Sequence, residues 1–307
     1  MSRHPQGNDL AGKLKVLFAF AVAVATCGAA RAVADVDVAA AETGFGTGET
    51  DVSDGRWPHF SLHAAADIES AYICRGYVWD RRPYSAQSVD GTVGLGPFGR
   101  ADVYLWSMSA LSGEGHSTPM RRAYNEVDYG LRYFYDVALA EEWTLVNGVA
   151  RQWVTNPGVR HGGHSFIDWW AMQTLKNPYL TPYWRMRYSR HPYQAVYWCV
   201  GAKHAFDLTD DLSLTIDLSG DLGDARTEMG LFGPKPGAPT SRYHGGLHAL
   251  NLVFRLDYRV TDYLNLFAFV GQYGLVMDDA RAAVKASSAR EATRDLTYAG
   301  IGLELDF

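Results

Sequence analysis

The chain predicts an all-β fold: a transmembrane, antiparallel, up-and-down β-barrel of about 12 strands, preceded by a cleaved signal peptide. Three observations carry this expectation. Apolar and polar residues alternate with a period of two along one segment after another, the pattern of a strand with one apolar and one polar face. Short connections alternate with mostly longer ones, as in a barrel with tight turns at one end and long loops at the other. The sequence also ends within such a strand. Thr297, Ala299, Ile301, Leu303, Leu305 and Phe307 fall on one face, opposite Tyr298, Gly300, Gly302, Glu304 and Asp306. In water an apolar strand edge invites aggregation. In a closed barrel it faces lipid and every backbone group is paired.

Residues 1–32 read as a secretory signal. Lys13 and Lys15 form the positive flank, Val16 to Thr26 the apolar run, and Ala30-Arg31-Ala32 the cleavage site. The run is too short to span a membrane as a helix, and no later segment has 18 consecutive apolar residues. Val24-Ala25-Thr26-Cys27 is a poor lipoprotein box, because threonine precedes the cysteine. Residues 33–58 are acidic and glycine-rich without periodicity, and read as a flexible periplasmic linker. The barrel is expected over 59–307.

The first strand is expected from Phe60. There Phe60, Leu62, Ala64, Ala66, Ile68 and Tyr72 oppose Ser61, His63, Asp67, Glu69 and Arg75. Segments near 86–95 and 101–111 alternate less cleanly but are bounded by turn signals. In Asn125 to Tyr135, Val127, Tyr129, Leu131, Tyr133 and Tyr135 oppose Glu126, Asp128 and Arg132. Segments near 143–153 and 165–175 follow. Next, Trp184, Met186 and Tyr188 oppose Arg185 and Arg187, and another strand is read near 195–206. The clearest strand is Leu212 to Leu222, where leucines and Ile216 oppose Ser213, Thr215, Asp217, Ser219 and Asp221. In Leu250 to Val260 the apolar face opposes Asn251, Arg255, Asp257 and Arg259. A segment near 264–275 precedes the last strand. The total is twelve, an even number that puts both barrel ends on the short-turn side.

The short links are Gly96–Gly99, Val137–Glu142, Lys176–Tyr179, Asp207–Asp211 and Arg259–Asp262, while Ser112–Ala123, Thr155–His164, Gly223–Gly246 and Met277–Asp295 are long. Tyr135, Trp143, Tyr179, Trp184, Phe206, Tyr258 and Tyr263 cluster at the short links, where an interfacial girdle belongs.

Two sequence features resemble known families. The alternating last strand, with Leu303, Leu305 and a terminal Phe307, is similar to the C-terminal signal of bacterial outer-membrane barrels, which implies recognition by the barrel assembly machinery. Ser70-Ala71-Tyr72-Ile73-Cys74-Arg75-Gly76, followed by Asp80, Pro83, Gln87 and Asp90, resembles the opening of the TorF-type porins, with a cysteine where that family usually has an aromatic residue. The resemblance covers about thirty residues. It implies an integral outer-membrane protein in contact with lipid, acting as a channel, and supplies no catalytic residue.

The polar faces supply the candidate lining of a lumen: Asp67, Glu69, Arg75, Glu126, Asp128, Arg132, Arg185, Arg187, Asp217, Asp221, Arg255, Asp257 and Arg259. Walls of both signs suit passive diffusion of small polar solutes. They equally suit a closed interior of paired charges, which would leave a structural or adhesive barrel whose loops bind a partner. Removing residues 1–32 takes away four basic side chains and one acidic one, so the formal charge moves from −6 to −9. An acidic chain with no basic stripe argues against nucleic acid as a partner.

No catalytic, cofactor or metal motif emerges. The H-x-S arrangement of outer-membrane phospholipases is lacking, since His164 and Ser165 are adjacent and would face opposite sides of a strand. His161-Gly162-Gly163-His164 and His244-Gly245-Gly246 with His248 place imidazoles near glycines, but without cysteine or carboxylate at ligand spacing. Cys74 and Cys199, read into the first and eighth strands, are too far apart to pair.

Overall fold

The computed structural model describes residues 59–111, 126–156, 164–190, 194–232, 243–286 and 293–307. The expected signal peptide with Cys27, the expected linker and the His161-Gly162-Gly163 motif lie outside them. Twelve strands form a closed antiparallel barrel: β1 (His59–Glu69), β4 (Tyr84–Gly94), β5 (Arg100–Ala110), β6 (Glu126–Ala140), β7 (Trp143–Asn156), β8 (His164–Lys176), β9 (Thr181–Ser189), β10 (Ala195–Thr209), β11 (Leu212–Gly223), β12 (Gly246–Thr261), β13 (Leu264–Leu275) and β14 (Asp295–Asp306). Each pairs with its sequence neighbours, and β14 returns to β1. At the seam Ala66 lies opposite Leu303, and on its other side opposite Gln87. Phe307 and Leu62 exchange two backbone hydrogen bonds of 2.9 Å each. Among the described residues the barrel sheet has no open edge.

The alternation decides which face points where. Leu62, Val89, Val103, Leu131, Val149, Leu218, Phe254, Val270 and Ile301 are exposed on the outer wall, from nine different strands. Inward neighbours on those strands, such as Asp90, Asp102, Asp128, Arg132 and Asn251, are buried. A continuous apolar exterior around a polar interior is the inverse of a water-soluble fold. Among the described residues no helix is long and apolar enough to cross a membrane. The outer wall also carries aromatics at the short-turn end: Tyr135, Trp143, Tyr179, Phe206 and Tyr263 are exposed there, whereas Tyr258 is buried.

The short-turn end is built economically. β6 continues to Ala140, so the Val137–Glu142 link shrinks to Glu141–Glu142. In the β8–β9 turn the Asn177 side chain accepts the backbone N–H groups of Tyr179 and Leu180, both at 3.0 Å, a local bond that competes with strand pairing and stops it.

The long-loop end departs from the sequence expectation in two ways. First, β1 stops at Glu69, and the chain turns back on itself in a separate hairpin, β2 (Tyr72–Cys74) and β3 (Tyr77–Asp80). Tyr72, Cys74 and Arg75 therefore do not belong to the first barrel strand. The two turn residues Arg75 and Gly76 have φ of 58° and 64°, the pair of positive angles that a tight two-residue hairpin loop requires. Second, two loops fold as helices, α1 (Ala225–Phe232) and α2 (Asp278–Ala286). Asp224 caps α1, its carboxylate accepting the N–H of Thr227 at 2.7 Å. Asp278 and Asp279 open α2 and Lys285 lies in its last turn, the arrangement its dipole favours.

Candidate functional site: the charged interior

The β2–β3 hairpin is folded inside the barrel mouth, because its neighbours come from all round the wall. Tyr72 packs on Tyr84 and Trp106 of β4 and β5, with ring centroids 5.7 and 6.3 Å away. Its hydroxyl donates to Glu126 of β6 at 3.2 Å. From the far side of the bore, Tyr273 of β13 donates to the Gly76 carbonyl at 2.8 Å. Ile73 and Val78 join an apolar cluster with Ala249, Phe269, Tyr298 and the α2 residues Ala280 and Val284.

The turn of the hairpin carries the strongest polar anchor. Arg75 reaches Asp168 of β8 at 2.6 Å, and Asp168 is fully buried. Asp168 also accepts the Ser189 hydroxyl at 2.6 Å and lies 3.7 Å from the Arg187 guanidinium. The Arg75 carbonyl bonds His248 of β12 at 2.9 Å, and the other His248 nitrogen lies 2.8 Å from Glu228 of α1. Helix, wall and hairpin are thus tied through one imidazole. Gly76 fits because it has no side chain: a Cβ there would lie 2.6 Å from the His248 ring and 2.7 Å from Asp221.

Below the hairpin the interior is lined by charges of both signs. Tyr183 of β9 donates to Asp217 of β11 at 2.9 Å, and Lys203 of β10 stands opposite Asp217 in the register. Arg185 lies over the Tyr183 ring at 5.3 Å. Arg185, Lys176 and Arg255 are all within electrostatic reach of Lys203. On the other wall Arg132 pairs with Asp90 and lies 3.4 Å from Asp102, above the Tyr104 ring. Gln152 donates to Asp128. Nearer the short-turn end, Arg255 bridges Asp257 at 2.7 Å and Glu304 at 2.6 Å, and Asn265 bonds both acids.

The candidate lining residues therefore divide. Asp67, Glu69, Glu126, Asp128, Arg132, Arg185, Arg187, Asp217, Asp221, Arg255 and Asp257 lie on inward positions of barrel strands. Arg75 reaches the interior from the hairpin turn instead of from strand one. Arg259 lies at the exposed rim, where it bonds the Asp210 carbonyl and faces Asp211 at 3.5 Å. Arg259 is thereby separated from Arg255, because the rim residue is taken up by a neighbouring turn. Asp168, Asp90, Asp102, Glu228 and His248 were not among the expected residues. The first three sit in segments of weaker alternation, and period-two inspection of each register would have found them. Glu228 lies in a helix that the loop composition hid. Cys74 is half-buried and Cys199 buried, and among the described residues neither is in a disulfide.

Acids dominate β1 and β4–β6, with Asp67, Glu69, Asp90, Asp102, Glu126 and Asp128, while β8–β10 contribute Lys176, Arg185, Arg187 and Lys203. The two signs are thus concentrated on different arcs of the wall, with Arg132 on the acidic arc and Asp168 on the basic one.

No protein-family model matches the chain, and no curated protein matches it. Solved structures with a similar fold include an outer membrane channel and two porins. One is an outer membrane channel from Pseudomonas putida F1, at 9% identity and TM-score 0.47, covering 82% of this chain and 98% of that one. The NanC porin is 10% identical with TM-score 0.46, over 80% and 99% of the two chains. The KdgM porin, solved in complex with disordered oligogalacturonate, is 9% identical with TM-score 0.43, over 80% and 99%.

Proposed function

We propose that this chain is an integral bacterial outer-membrane protein, exported through its N-terminal signal, that acts as a porin-like channel for small polar solutes. One observation carries the reading: a closed barrel with an apolar outer wall surrounds an interior whose acidic and basic residues concentrate on different arcs of the wall, which sets up a field between them. Such a field orients a dipolar or zwitterionic solute while excluding apolar ones of the same size. The Arg75 hairpin narrows the outer half of the bore, and the polar walls below it form the path. The TorF-type resemblance at Ser70–Gly76 points the same way, with these residues forming the constriction. Lipid surrounds the wall, and the assembly machinery reads the strand that ends in Leu303, Leu305 and Phe307.

A second reading has its own support. Asp168, Glu69, Glu228 and His248 are almost completely buried in the outer half, and a barrel closed there would be a structural or loop-binding protein. Planar-bilayer recording of the purified full chain separates the two. Discrete conductance steps, with liposomes made permeable to small sugars, support the channel. A heat-modifiable preparation that never conducts, in impermeable liposomes, rejects it in favour of the closed barrel.

A further inference from the structure

The outer wall contains one side chain that the barrel itself does not explain. Arg151 of β7 occupies an outward position: its neighbours Ala150 and Gln152 are buried inside, while Val149, on its own face, is exposed. In the register it sits between Leu131 of β6 and Trp169 of β8, both exposed to the outside. Its guanidinium carbon lies 4.7 Å from the Trp153 ring centroid and 5.1 Å from that of Trp169. Trp153 is itself stacked on Tyr129, at 5.6 Å and 6°.

The rings hold the guanidinium by its faces and leave its edge of N–H donors unused. Among the described residues Arg151 makes no ion pair or hydrogen bond, and its Nε is buried without a partner. A cation on the lipid face of a barrel is destabilising, most of all at the bilayer midplane and little at the interfaces. Arg151 lies eight residues beyond Trp143, which starts β7 at the short-turn end. At about 3.3 Å per residue and a tilt of about 40° this is roughly 20 Å along the barrel axis. The apolar band is about 25 Å tall. That depth is within about 5 Å of the band's edge on the long-loop side, where lipid head groups begin and a long arginine side chain reaches them.

We propose that Arg151, clamped by Trp153 and Trp169, is a binding site for the phosphate of a phosphorylated lipid in that leaflet. The fork of a guanidinium matches phosphate oxygens with two parallel hydrogen bonds. The indole faces add cation–π attraction to the arginine and an apolar seat for the lipid's first methylenes. A lipid phosphate, and not a free one, is the occupant because the site opens on the apolar wall between exposed Leu131 and Trp169. The proposal rests on the membrane reading above.

The test begins with flotation of the full chain on phosphatidylcholine vesicles. Wild-type protein that stays in the aqueous layer overturns the membrane reading and this proposal together. Protein that floats is transferred to maltoside micelles doped with phosphatidic acid or with diacylglycerol, the same lipid without phosphate, and bound lipid is counted by native mass spectrometry. Wild type is expected to retain one phosphatidic acid at least tenfold more tightly than diacylglycerol. Arg151→Gln is expected to lose that preference. Arg151→Lys, which keeps the charge without the fork, is expected to lose most of it, and decides the matter should the glutamine variant not fold. Equal retention by wild type and either folded variant overturns the proposal. So does displacement of the lipid by inorganic phosphate, which would mark a small-anion site, or binding of diacylglycerol as tight as that of phosphatidic acid.

Discussion

Asp168 concentrates the chemistry of the interior in one carboxylate. It is fully buried, yet it holds Arg75 at 2.6 Å, accepts a serine hydroxyl, and has a second guanidinium 3.7 Å away. Burying a charge is tolerable only while its partners remain, and removing one partner of a buried pair costs about 3–5 kcal/mol. Asp168→Asn keeps the shape and removes the charge, leaving Arg75 and Arg187 facing each other without it. The expected result is a lower unfolding midpoint, read from the heat-modifiable band on gels, by an amount corresponding to a few kcal/mol. Arg75→Gln in the same background should recover part of the loss, since contacting groups are not additive. A fully additive double variant would show that Arg75 and Asp168 are not coupled, and that the hairpin turn is held by its backbone bonds alone.

At the scale of elements, the β2–β3 hairpin decides how much of the barrel mouth is filled. It occupies the mouth, and its anchors on β8, β12 and β13 are spread across the bore. Replacing residues 71–82 by a short glycine–serine link should leave the twelve wall strands paired, because the hairpin forms a sheet of its own. Single-channel conductance is then expected to rise severalfold. An unchanged conductance would place the narrowest point lower, among Asp217, Lys203 and Arg255. The wall strands were legible from sequence to within a few residues, since a two-residue period over ten positions admits few other readings. Leu212–Gly223 was plain for this reason. The hairpin was not, because Tyr72 and Arg75 keep the phase set from Phe60, and the break at Ser70, Ala71 and Ile73 is only a few residues long. The turn signal was present but disguised: Arg75-Gly76 takes the conformation for which Asn-Gly is the usual sequence, and arginine seldom adopts a positive φ. The two helices were hidden for another reason. Each has only eight or nine residues and takes its place by packing, α2 through Ala280 and Val284 against the hairpin cluster, which composition alone does not reveal.

The whole molecule depends on a closed ring of strands and, in the proposed channel, on the field between the charges that line it. Closure ends at Phe307, whose backbone completes two hydrogen bonds to Leu62 and whose ring stacks on Tyr263 with centroids 6.4 Å apart. Deleting Phe307 removes both bonds and the outward aromatic at the seam. A marked drop in the fraction sedimenting with outer membranes and migrating as a heat-modifiable band is expected; unchanged insertion would remove the last residue from any part in assembly. The field makes a separate prediction, one that leaves assembly intact. Arg185 and Arg187 face inward from β9, with Lys203 on the adjacent strand, and the acids of β4–β6 lie three to five strands away round the ring. Replacing both arginines by glutamine removes two fixed positive charges from a confined polar space, while Asp90, Asp102 and Asp128 stay. Reversal potentials measured across a salt gradient should therefore move toward cation preference. The shift should shrink at 1 M salt, where the screening length falls to about 3 Å. Arg187 also faces Asp168 at 3.7 Å, so the single variant Arg185→Gln serves as the cleaner test of the field. It should give a smaller shift of the same sign with no change in the heat-modified midpoint. A reversal potential that does not move in either variant would mean that ions pass without meeting the β9 wall.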